Sequence, residues 1–169
     1  GIYTGGTVDN GIESMIQDCE VRLGPHGHFA YSSSYKTCIL RCIGEGRSFW
    51  YTDNKTGIAT IEYCTGFVSY SAIGSVATES VDRRVLVSAS KFTAISDKAR
   101  WVEWWNKGGS GYGAIAVISC EFSGFNWRSA INANTGAVVY VNTVGETTVG
   151  DSIAQNSFQP ISERMLGWG

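Results

Sequence analysis

Apolar positions follow two rhythms along this chain. Near the amino terminus Ile12, Met15, Ile16 and Cys19 recur at i, i+3, i+4 and i+7, the spacing of one helix face. Asn10 stands three residues before Glu13, a capping-box spacing, and Gly24-Pro25 would end the helix. The pattern then shortens. Phe29–Ser34, Thr37–Ile43, Arg47–Thr52, Ile58–Cys64 and Gly66–Ile73 read as strands, with Gly44-Glu45-Gly46 and Asp53-Asn54-Lys55-Thr56-Gly57 as turns between them. Short strands and tight loops in this order predict an antiparallel meander. Thr37–Ile43 carries Cys38, Leu40 and Cys42 on one side and Ile39 and Ile43 on the other. A strand apolar on both sides predicts a sheet covered on both faces, or one contacting a neighbouring chain.

A second block opens near Arg83. Ser96 is placed to cap a helix at Asp97–Lys107 that turns Trp101, Trp104 and Trp105 to one side and stops at Gly108-Gly109. The same stretch also reads as an extended segment with Trp101, Glu103 and Trp105 in line; the helix is the preferred reading. Ala114–Cys120 is the clearest buried strand, and Trp127–Asn132 with Ala137–Thr143 predicts a hairpin. No internal repeat and no linker is evident, so residues 1–169 are expected to form a single domain with a flexible lead-in at 1–10. The expected fold is mainly β with an α+β leaning. It is a single antiparallel sheet or sandwich with a short N-terminal amphipathic helix and one further short helix.

Composition narrows the class. Val and Ile number 28 against 4 Leu, which excludes an all-α fold because β-branched residues favour strands. Thirteen basic and 15 acidic residues give a net charge of −2 with no run of one sign, so neither nucleic acid nor membrane insertion is an expected partner. Charged residues are 17% of the chain, against roughly 25% in an average soluble domain, so the surface must be built from Ser, Thr, Asn, Gly and Tyr. The chain begins Gly1-Ile2-Tyr3 without methionine, and no signal segment or membrane-length apolar run is present. This predicts a processed or excised product; the low charge and the abundance of Tyr and Trp beside Asn, Ser and Gly predict a place outside the cell or on a cell or virion surface.

Cysteines stand at 19, 38, 42, 64 and 120. Cys19, Cys38, Cys42 and Cys64 are the disulfide candidates, a bridge from the helical Cys19 to a strand cysteine being the first choice, while Cys120 reads as a buried free thiol. Catalytic signatures are absent: there is no nucleophile elbow, no zinc-protease motif and no phosphate loop. His26 and His28 form a His-x-His pair without defensible zinc spacing, so no metal and no cofactor is expected. Carboxylates for glycoside chemistry could come from Glu62, Glu79, Asp82, Glu103 or Glu121. Aromatic residues are 12% of the chain and several adjoin Asn, Ser or Gly. Such rings lie flat on sugars or form adaptable protein-binding surfaces.

The expected site is therefore Trp101, Trp104, Trp105, Asn106, Tyr112, Asn126, Trp127 and Arg128. The expected function is non-catalytic recognition, of the adhesin or receptor-binding kind, with a glycan or a cell-surface protein as partner. A small secreted enzyme or toxin using carboxylates in a cleft is one alternative. A self-associating subunit of an appendage or fibre, and hence a homo-oligomer, is another.

Overall fold

The computed structural model describes residues 1–4, 13–52, 56–77, 82–106, 113–132 and 136–147. Among them there is no helix, and each strand pair is parallel. Numbered in chain order, the strands fall into rungs. After β1 (Ile2–Thr4) come β2 (Glu13–Gln17), β3 (Glu20–Arg22) and β4 (His28–Ser32); then β5 (Lys36–Leu40) and β6 (Ile43–Thr52); then β7 (Thr56–Glu62) and β8 (Thr65–Ala77). They are followed by β9 (Asp82–Ser88), β10 (Lys91–Ala94) and β11 (Arg100–Asn106); by β12 (Gly113–Ile118), β13 (Glu121–Phe125) and β14 (Trp127–Asn132); and by β15 (Gly136–Val141) and β16 (Val144–Thr147). The first strand of each rung enters a six-stranded sheet ordered β15-β12-β9-β7-β5-β2, and the rest build a ten-stranded sheet. The fold is a parallel β-solenoid.

This overturns the antiparallel sandwich with two helices. Two-sided apolar strands indicated covered sheets, and parallel pairing is the arrangement in which such strands normally occur. The supposed hairpin loop Gly44-Glu45-Gly46 lies inside β6, and the supposed hairpin strands β14 and β15 belong to different sheets. The N-terminal helix is instead β2, whose Met15 faces out and Ile16 faces in. The Trp-bearing segment is β11, so the extended alternative holds there.

A repeat that is nearly invisible as sequence holds the rungs in register. Asp18, Arg41, Tyr63, Ala89, Ser119 and Asn142 all have positive φ, at intervals of about 22 to 30 residues, the period range of a solenoid. Each is followed by a residue able to donate a side-chain hydrogen bond: Cys19, Cys42, Cys64, Ser90, Cys120 and Thr143. These six pairs are the corners joining the two sheets. A left-handed conformation costs a non-glycine residue about 1–2 kcal/mol. The corners offset that cost because their amides are not wasted: Arg41 N–H donates to the Glu62 carbonyl at 3.0 Å, and Ala89 N–H to that of Ile118 at 3.1 Å. The residue after the positive-φ position turns its side chain back onto the strand it has just left. Cys64 Sγ donates to the Glu62 carbonyl at 3.2 Å, Ser90 Oγ to Ser88 at 2.7 Å and Thr143 Oγ1 to Val141 at 3.1 Å. A thiol and a hydroxyl serve equally, which is why the ladder mixes Cys, Ser and Thr. On the outside, Arg41 Nε and Nη2 reach Asp18 at 2.7 and 2.8 Å, which holds the Asp18 carboxyl at about 2.

The five cysteines are free thiols. The expected bridge from Cys19 depended on a helix that does not form; Cys19 is the first step of the corner ladder, and Cys38 faces outward from β5 between Met15 and Thr60. Burial pushes the Cys64 thiol up to about 12 and raises Cys42 and Cys120 as well. Alkylation of the native protein at pH 8 should therefore be confined to the half-buried Cys19 and Cys38, with all five thiols reacting only after denaturation. Fast native labelling of Cys64 by mass spectrometry would contradict the ladder.

The interior is a set of columns with one residue per rung. Ile16, Ile39, Ile61, Val87, Val117 and Tyr140 form one, and Ser14, Thr37, Ala59, Val85, Ile115 and Val138 the next. Burying each large member contributes about 1.5–3 kcal/mol. A third column, Val21, Gly44, Gly66, Phe92, Phe122 and Gly145, sets two large rings among glycines. A Cβ on Gly66 would sit 2.6 Å from the Phe92 ring and 2.9 Å from Phe49, so glycine there makes room for both. The rings of Phe29, Phe49, Phe92 and Phe122 run through this space at centroid separations of 4.6, 5.4 and 5.3 Å.

Candidate functional site

Outside the ten-stranded sheet, register alone assembles two adjoining rows. Tyr3, Tyr31, Tyr51, Gly74, Glu103 and Ala130 share one position on successive strands. His28, Ser48, Ser71, Arg100 and Trp127 share another. Tyr31 stacks on Tyr3 and on Tyr51 with centroids 5.6 Å apart in each case, and His28 stacks on Tyr51 at 4.5 Å. Gly74 leaves space for this ladder, because a Cβ there would lie 2.8 Å from the Tyr51 ring and 2.9 Å from Ser71 Oγ. Ser48 and Ser71 share a buried hydroxyl pair at 2.8 Å beneath the rings.

Between the halves of this sheet the rungs bend, and the pairing of β6 with β8 shifts there: Gly46 faces Val68 but Ser48 faces Ser71. Arg47 thus stands opposite two residues, Ser69 and Tyr70, the count of a β-bulge. The bulge aims Arg47 and Tyr70 at the same place, with the Arg47 guanidinium 4.7 Å above the Tyr70 ring and that of Arg100 5.7 Å from it. Tyr70 Oη donates to Glu103 Oε1 at 2.7 Å, and Arg100 Nη1 donates to the same oxygen at 2.8 Å. The Glu103 side chain is only 3% exposed although its row lies on the outside of the sheet, and Arg100 is 25% exposed. Burial, and then the bond to Glu103, raises the Tyr70 phenol above its ordinary value. The cluster holds two guanidiniums and one carboxylate, and among the described residues no carboxylate lies within ion-pair distance of Arg47.

Burial, with Arg47 second, holds the His28 imidazole below its ordinary value. The unfolded chain therefore takes up this proton at a higher pH than the native protein does. His28 stabilises fully above about pH 6.5, and this contribution is lost as the pH falls toward the native value. The Tm difference between pH 7.5 and pH 5 should accordingly shrink in His28→Gln; an unchanged difference would show that His28 is not the group responsible.

Of the expected site residues, those of β11 and β14 lie on paired strands. Trp101 is core: it is 3% exposed, lies nearly parallel to Phe122 at 4.3 Å and meets Tyr140 edge-on at 5.5 Å. Trp104, Trp105 and Asn106 lie in β11 opposite Ser75, Val76 and Ala77, with side chains outside the described residues, as is that of Arg128 in β14. Tyr112 lies wholly outside them. Asn126 is half-buried between β13 and β14, and half-buried Trp127 lies beside Arg100 in the second row. Of the candidate acids, Glu62 accepts from Ser88 at 3.0 Å, both in the six-stranded sheet, and Glu121 pairs with Lys91 at 3.0 Å. Asp82 begins β9, and Glu79 lies outside the described residues. Among the described residues no group of His, Cys, Asp and Glu is placed to hold a metal.

Arg47, Tyr51, Tyr70 and Arg100, together with His28 as a ring rather than a ligand, are what sequence reasoning missed. No local motif joins them; each comes from a different rung, and only the corner period would have aligned them. No family model matches the chain, and comparison with curated proteins and with solved structures found no match.

Proposed function

We propose that this solenoid is a non-catalytic recognition module, displayed outside the cell or on a cell or virion surface, that binds a glycan along the face formed by the two outer rows. The observation that carries this reading is Glu103, a carboxylate withdrawn from solvent on the outward side of a strand and held there by Tyr70 and Arg100. Buried charges outside a core are uncommon and cluster at sites of function. Arg47 stands over Tyr70, and Tyr51, His28 and Trp127 lie along the same two rows, an apolar and hydrogen-bonding mixture suited to sugar rings and hydroxyls. Hydrolysis by paired carboxylates is less well supported, because Glu62 and Glu121 point elsewhere.

The test is binding of the full chain to a glycan array and to intact cells, with Tyr51→Ala and Trp127→Ala as variants. Each should weaken binding at least tenfold, about 1.4 kcal/mol, while keeping the circular dichroism spectrum. Binding unaffected by both changes, or no glycan bound, would overturn the assignment.

Self-association is a second reading, favoured by the outward row Met15, Cys38, Thr60 and Leu86 on the six-stranded sheet, which is mostly apolar. Sedimentation over a hundredfold range of concentration tests it: a mass that stays monomeric throughout removes this reading.

A further inference from the structure

We infer that the glycan read by this face is acidic, and that Arg47 receives its carboxylate. This rests on the recognition reading above and adds the class of ligand. The charge of Arg100 is answered by Glu103 at 2.8 Å, whereas Arg47 is exposed and meets a ring instead of an anion. Among the described residues the site therefore carries one positive charge in excess, within a protein whose net charge is −2. A generally basic surface is not the cause; the excess is local.

The guanidinium of Arg47 is also prepared for its task. Tyr70 is fixed by its bond to Glu103, and its ring in turn supports Arg47 at 4.7 Å. A planar fork already stacked on an aromatic ring loses less freedom on binding than a free side chain, and it matches a carboxylate with two parallel hydrogen bonds. A monoanion neutralises the site. A dianionic phosphate ester would leave excess negative charge in the same cluster as Glu103. Sugar rings joined to that carboxylate have a place to lie, since the row from His28 to Trp127 spans four rung intervals of about 4.8 Å and is bordered by the rings of Tyr31 and Tyr51.

The experiment is titration calorimetry of the full chain with glucuronate-, galacturonate- and sialate-terminated oligosaccharides. Each is paired with its carboxyl-reduced counterpart, and a phosphorylated oligosaccharide is added to the panel. At least one acidic member should bind ten times more tightly than its reduced partner, and that advantage should fall with added salt. Arg47→Gln should abolish the advantage, and Arg22→Gln, an exposed arginine paired with Glu20 elsewhere, should leave it intact. The inference falls if acidic and reduced members bind equally, if the advantage survives Arg47→Gln, if the phosphorylated sugar binds best, or if no acidic member binds. Equal binding that is still lost in Trp127→Ala would remove the carboxylate and leave the recognition reading standing.

Discussion

Replacing Gly66 by valine should lower the unfolding free energy by about 3 kcal/mol, at the upper end of what overpacking a core costs. The new Cβ alone would fall 2.6 Å from Phe92 and 2.9 Å from Phe49, both rings fully buried. Neither can retreat, because each is already stacked on a further ring, Phe122 and Phe29 respectively. Gly24→Ala provides the contrast: φ is +68° there but nothing lies within 4 Å, so only the backbone penalty of about 1 kcal/mol is expected. Urea denaturation of both variants decides the point. Equal losses would mean that the aromatic column is looser than described.

Arg100→Ala should cost about 3 kcal/mol, because it strips a buried carboxylate of its counter-charge. Glu103 is 3% exposed and cannot recover that interaction from water without opening the bend. The diagnostic is the double variant Arg100→Ala/Glu103→Gln, which should be more stable than the single, since an uncharged amide no longer needs the guanidinium and can still accept from Tyr70. If the double variant is less stable than Arg100→Ala, Glu103 is supported chiefly by other neighbours.

The strands themselves were legible. The Val and Ile excess and the runs at Ala114–Cys120, Trp127–Asn132 and Ala137–Thr143 coincide closely with β12, β14 and β15. Direction was not legible, because alternation looks the same in parallel and antiparallel sheets. The false helix at Ile12–Cys19 has a specific cause. Ile16 faces in, Met15 faces out, and the corner at Asp18 then swings Cys19 back toward the interior, so a bent strand imitates helical spacing. The repeat escaped notice because its signature is a backbone angle followed by Cys, Ser or Thr, and five different residues occupy the positive-φ position across the remaining corners after Asp18. At the site, Trp127 was within reach of sequence reasoning through its polar neighbours. The Arg47–Tyr70 contact was not, since it depends on a bulge that places one residue opposite two.

That bulge belongs to a wider division of labour around each rung. At the corners the chain is held to two residues, a turn and a donor, and any added residue would throw every inward column out of step. At the bend the count is free: Leu23–Gly27 fills it in one rung, Arg47 in the next, then Ser69-Tyr70, Ile95–Ala99 and Asn126. Residues at the bend can be inserted, deleted or exchanged while the columns keep their alignment. The chemistry displayed along this face is therefore set in the part of the coil whose length the fold does not police, and it can change there rung by rung without renegotiating the core.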